Sequence, residues 1–144
     1  YFPTKETVVL DLWDSTHERL IVLINTTPDA STVPEALEVA IEAWYHQFGD
    51  LFPILNNLTF SSPSLEAAML RRTLDWELHL ADALARRFDH LDDVDARIWS
   101  ALGFALLKVA GNRAIQDGVS FDQASAATFR RFSALMESTA RLDL

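Results

Sequence analysis

Four histidines and 21 acidic residues are the groups in this 144-residue chain that could do acid–base or metal chemistry. Their spacing builds no recognisable catalytic pattern. His17-Glu18 begins like the helix of a zinc protease, but the second histidine would stand at position 21, which is Ile21. Glu42, His46 and Asp50 are spaced at four, yet Gly49 is expected to end the helix that would align them. Asp75 and His79 supply two ligands where a zinc site needs three or four. Asp89, Asp92, Asp93 and Asp95 lack the glycine and spacing of a calcium loop. There is no cysteine, no Gly-x-Ser-x-Gly elbow and no phosphate loop. The chain therefore reads as a non-enzyme, with no metal and no cofactor.

Binding is better represented than reaction. Trp13, Trp44, Tyr45, Phe48, Phe52, Phe60, Trp76, Trp99 and Phe104 are interleaved with His17, Asn56, Asn57 and His79. Apolar and aromatic walls with a few polar groups are what small-molecule pockets are made of. Each ring taken singly is more often part of a core than of a pocket.

Six helices must position these residues. The first runs from about Lys5 to Asn25, capped by Thr4, with Val9, Trp13, His17 or Leu20, and Ile24 recurring at helical spacing. Thr32 and Glu35 form a capping box, and the helix they open carries Leu37, Ile41, Trp44, Tyr45 and Phe48 before Gly49. A short helix spans about Leu51 to Leu58. Ser62-Pro63 opens a fourth that reaches about Phe88, with Leu65, Met69, Trp76, Leu80, Leu84 and Phe88 on one face. Arg71, Arg72, Arg86 and Arg87 read as its solvated face. Asp92 caps a fifth that ends at Gly118, and Ser120 and Gln123 open a sixth that continues to about Arg141. No period-two strand pattern persists.

The fifth helix is apolar all the way round: Ile98, Trp99, Ala101, Leu102, Phe104, Ala105, Leu106, Leu107, Val109 and Ala110. An amphipathic helix would leave a polar face. The sixth is also apolar over a wide face. Surplus apolar surface on two neighbouring helices predicts a subunit interface, with Leu102, Leu106, Val109, Phe129, Phe132 and Leu135 in it.

Composition bounds the rest. Apolar residues make up 49% and charged residues 23%, as in one folded domain. The stretch from Ile98 to Gly111 is interrupted by Ser100 and Lys108 and is too short to cross a membrane. The absence of cysteine fits a reducing, cytoplasmic setting. A net charge of −9 repels phosphates, so these residues should not hold nucleic acid by themselves.

The opening residues Tyr1-Phe2-Pro3-Thr4-Lys5-Glu6 resemble one place in the TetR-type transcription regulators. There, an aromatic pair ends the DNA-reading helix, a short turn with a cap follows, and Lys-Glu starts the long fourth helix. The resemblance covers about ten residues, and the six-helix body matches that family's plan in helix number, order and relative length. It implies an all-α, six-helix TetR-type C-terminal regulatory domain whose last two helices form a four-helix bundle with the dimer mate. Residues 1–4 would be the remnant of the N-terminal helix-turn-helix head, and residues 5–144 the effector-binding and dimerisation domain. The departure is that the three-helix head itself is absent from the sequence.

What the resemblance implies for function is a ligand-responsive transcriptional regulator, a repressor in the first instance. Its partners would be a second copy of the chain and a hydrophobic or aromatic effector. Operator DNA would be reached through the head, with Lys5 resembling the family's backbone-contacting lysine, and no membrane would be involved. Such bodies are hollow in this region, so the expected ligand-binding residues are Trp13, His17, Trp44, Phe48, Phe52, Asn56, Trp76, His79 and Phe104. The alternative is a helical protein–protein interaction module without a small-molecule ligand.

Overall fold

Side-chain caps set where five of the six helices begin, the short third helix excepted. In the computed structural model, which describes residues 4–28 and 32–141, Thr4 accepts a hydrogen bond from the Thr7 amide at 3.1 Å and starts α1 (Lys5–Asn25). Thr32 and Glu35 exchange bonds as a full capping box ahead of α2 (Val33–Phe48). After a turn at Gly49 and Asp50 comes α3 (Phe52–Phe60), then α4 (Pro63–Arg87), opened by Ser62 with Pro63 in its first turn. Asp92 accepts from the Asp95 amide at 2.7 Å to open α5 (Asp93–Asp117). Ser120 accepts from the Gln123 amide at 3.2 Å at the head of α6 (Phe121–Arg141). These contacts supply partners for amides that a helix start leaves unpaired. No strand occurs among the described residues.

Two glycines end helices in different ways. Gly118 closes α5 at φ 65°, a left-handed conformation that favours glycine. Gly49 closes α2 in a right-handed conformation, and its missing side chain instead admits Phe121, whose ring would stand 2.9 Å from a β-carbon there. The aromatic pair Tyr1-Phe2 and Pro3 lie outside the described residues.

The helices close into a ring. α1 packs on α2 and α4, α4 on α5, α5 on α6, and α6 returns to α2. The short α3 lies across one end, against α1 and α4. The interior is tightly filled: Ile24, Ile41, Trp44 and Leu84 have no solvent exposure, and Trp13, Leu20, Leu37, Leu55 and Leu80 have almost none. Burial of each such side chain contributes about 1.5–3 kcal/mol. Polar bonds fix the seams. Ser100 Oγ donates to the Glu77 carbonyl at 2.6 Å, tying α5 to α4, and Arg19 Nε donates to Gln47 Oε1 at 3.1 Å, tying α1 to α2.

The arginines of α4 do more than face water. Arg71 and Arg86 are exposed, but Arg72 is bonded to Asp14 of α1, and Arg87 reaches the Thr27 carbonyl beyond the end of α1 while its guanidinium lies over the Phe88 ring. The reason is geometric, because both arginines lie on the flank of α4 that meets α1.

The apolar surplus of α5 also sorts itself differently from an all-round burial. Leu106 and Phe129 are buried in the chain's own core; Leu102 and Phe132 are half-buried, with Phe132 edge-on to Trp99. Val109 and Ile98 are each 53% exposed, Leu135 is 66% exposed, and Ala101 and Ala105 lie open between them on α5. The ring covers three sides of α5 and leaves the fourth, an apolar stripe, at the surface.

Candidate functional site

Trp13 and His17 stand one turn apart on α1, so their side chains point the same way into the ring. The Trp13 indole N–H donates to Thr59 Oγ1 at 2.9 Å, and that hydroxyl donates on to the Leu55 carbonyl at 2.7 Å. This anchors α3 on α1. The Trp44 indole, from α2, donates to the Thr16 carbonyl at 2.8 Å. The Trp76 indole, from α4, donates to Asp14 Oδ1 at 2.9 Å, the same carboxylate that binds Arg72. Two indoles from α2 and α4 thus bond to α1, whose own Trp13 bonds to α3, and each has its one donor used.

His17 is the centre of this cluster. Its ring stacks on Trp76 with centroids 3.8 Å apart and planes 6° from parallel. Phe104 of α5 lies on another side at 5.4 Å and 20°. His17 Nδ1 is 2.8 Å from the Trp13 carbonyl, which can only accept, so Nδ1 carries the hydrogen. Burial pushes the His17 pKa down from 6.5 to about 4, although the bond to the Trp13 carbonyl pulls the other way. The imidazole is therefore neutral at physiological pH.

Beside this cluster lies a cleft of about 300 Å³, at the small end of the range for small-molecule pockets. α1 gives it Trp13 and His17; α3 gives Phe52, Asn56, Thr59 and Phe60. α4 gives Glu66, Met69, Leu70, Thr73, Trp76 and Glu77, and α5 gives Ala101, Phe104, Ala105, Leu107, Lys108 and Asn112. Gly111 permits this end of α5 to approach so closely: a β-carbon there would sit 2.5 Å from the Phe52 ring and 2.6 Å from the Tyr45 hydroxyl. That hydroxyl in turn donates to the Leu107 carbonyl, and burial pushes its pKa well up.

Of the nine residues expected to bind ligand, six line the cleft: Trp13, His17, Phe52, Asn56, Trp76 and Phe104. Trp44 lies one layer behind, its ring 6.1 Å from both His17 and Phe52, and Phe48 packs on Trp44 from the far side. His79 is exposed and borders a separate shallow depression with Ile21, Asn25, Asp82 and Arg86, on the outer seam of α1 and α4. Met69 and Thr73 escape a search for aromatics, yet they precede Trp76 at helical spacing on the same face of α4. Lys108 follows Phe104 by four in the same way. Ala101 and Ala105 carry no sequence sign of lining a cavity.

Aromatic and aliphatic side chains make up most of the cleft wall, which suits an apolar molecule. No group of three His, Asp or Glu side chains is placed to hold a metal among the described residues. Glu66, Glu77 and Lys108 are the charged residues along the cleft. Lys5 is exposed at the start of α1, on the turn capped by Thr4. Comparison with protein-family models, with curated proteins and with solved structures gives no match.

Proposed function

We propose that this chain is the sensing and self-associating part of a ligand-responsive transcription regulator resembling the TetR type, a repressor in the first instance. An aromatic small molecule occupies the cleft, a second copy of the chain covers the open stripe of α5, and DNA is bound by a helix-turn-helix head joined ahead of α1.

The observation that carries this reading is the seating of Trp76. Its ring lines the cleft and its N–H is held by Asp14 on α1. A ligand that presses on Trp76 therefore acts on the helix whose first turn bears Lys5. In a dimer, tilting α1 changes the distance between two heads that must meet half-sites roughly 34 Å apart. A differential affinity of a few kcal/mol suffices to shift such an equilibrium.

The test is calorimetric titration of the chain with small aromatic compounds, paired with sedimentation velocity at micromolar concentration. A dimer that binds an aromatic compound at one site per subunit supports the reading. A clean monomer with no aromatic binding overturns it. A helical interaction module is the second reading, favoured by the same exposed Ile98 and Val109. It predicts a monomer whose stripe is covered by a different protein.

A further inference from the structure

The ligand's own chemistry can be taken further from the way His17 is held, on the reading that the cleft is a binding site. Both ring nitrogens of a neutral imidazole cannot donate, and Nδ1 holds the hydrogen against the Trp13 carbonyl. Nε2 is then a bare acceptor. Among the described residues no fully enclosed side-chain nitrogen or oxygen lacks a partner; Nε2, which makes no hydrogen bond to the protein, is therefore not sealed in, and the space that His17 borders is the cleft. Trp76 and Phe104 pack against the ring itself, so the cleft meets His17 edge-on.

We infer that the cleft takes a neutral aromatic ligand carrying one O–H or N–H donor, delivered in the ring plane to Nε2 of His17. Phenols and aryl N–H compounds have this chemistry. A carboxylate or phosphate fits less well, because it would bring lone pairs against the lone pair of Nε2, and along the cleft Lys108 is outnumbered by Glu66 and Glu77. An ammonium group would have to shed its water among Trp13, Phe52 and Phe104, which disfavours a fully charged donor. The rest of the wall is largely apolar, with Phe52, Met69, Leu70 and Leu107 to accept the ring beside the polar Asn56, Thr73 and Asn112.

The experiment compares three probes of one shape by calorimetry on the 144-residue chain: β-naphthol, its methyl ether and naphthalene. β-Naphthol should bind about tenfold more tightly than the ether, the worth of one good buried hydrogen bond. In His17→Phe, which keeps an aromatic ring in the stack, that preference should collapse while naphthalene binding persists. Equal binding of β-naphthol and its ether by the unaltered chain overturns the inference and leaves the cleft standing as an apolar site. A preference that survives in His17→Phe also overturns it, since another group then accepts the bond. If none of the three binds, the cleft is not a site for aromatic ligands and the proposed function fails with it.

Nitrogen-resolved NMR of the unaltered chain keeps the inference testable should His17→Phe not fold. Nε2 should resonate as an unprotonated nitrogen and move towards the protonated range on adding β-naphthol, but not on adding the ether. A protonated Nε2 in the free chain, or no movement, counts against it.

Discussion

Thr59 looks like an ordinary residue of a short helix, yet it has no solvent exposure and is the sole acceptor for the Trp13 indole. Replacing it by valine keeps the volume and removes the oxygen. Thr59→Val should cost about 1–3 kcal/mol, because an N–H is then buried without a partner; urea denaturation measures it, and an unchanged midpoint would show that water reaches the indole. His17 makes a pH-dependent contribution. With its pKa lowered from 6.5 to about 4, the unfolded chain takes up a proton between those values that the folded chain refuses. Stability from this source is therefore complete above about pH 6.5 and falls as the pH drops towards about 4. At about 1.36 kcal/mol for each pH unit, the loss is on the order of 3 kcal/mol. Denaturation curves across that window should be steeper in pH for the unaltered chain than for His17→Phe, and equal slopes would assign the dependence to other groups.

At the scale of the element, the helix ends were the most legible part of the sequence. Thr4, Thr32, Ser62, Asp92 and Ser120 mark starts because a cap is a local matter between a side chain and amides two or three residues on. The cleft was half legible. Periodicity tells which face of α2 turns inward, but not that Tyr45, Phe48 and Phe52 would close around Trp44 and leave no space beside it. His79 is set about 100° round α4 from the buried Leu80, on the outer seam with α1. Small residues escaped notice because a cavity is defined by what is missing from it. Gly111 is the clearest example. Gly111→Ala should destabilise the chain by about 1–3 kcal/mol by overpacking Phe52 and Tyr45, and thermal unfolding reads the change. The α1–α4 junction is sensitive in another way. Asp14→Ala removes the acceptor of Trp76 and the partner of Arg72 together, and should weaken aromatic binding several-fold with helicity retained. Unchanged affinity by calorimetry would mean that Trp76 is held by stacking alone.

Across the whole molecule, the question is what covers α5. The sequence pointed to a helix apolar on every side, and the ring of helices accounts for most of that surface without a partner. What stays open is a stripe marked by Ile98 and Val109, next to the edge of the cleft at Ala101 and Ala105. If a second copy covers it, placing a charge there should separate the copies without disturbing the fold. Val109→Glu and Ile98→Glu are therefore expected to give helical monomers by sedimentation velocity where the unaltered chain is a dimer, since a buried, unpaired carboxylate costs several kcal/mol at such a contact. Dimers that persist in both variants would move the interface elsewhere. Net charge works against association in either case, because two copies each carry −9; added salt should favour the dimer.

The stacking of His17 on Trp76 at 3.8 Å also gives the molecule an optical readout of its own. Trp13 and Trp76 border the cleft, while Trp44 sits behind it with no exposure and Trp99 lies on the α6 side. An aromatic guest therefore touches two of the four emitters and leaves the other two as an internal reference. Protonating the imidazole would place a cation against the face of Trp76 and dim it selectively. If the cleft takes an aromatic guest, the fluorescence of this chain would report on guest and proton at one spot, without any label being added.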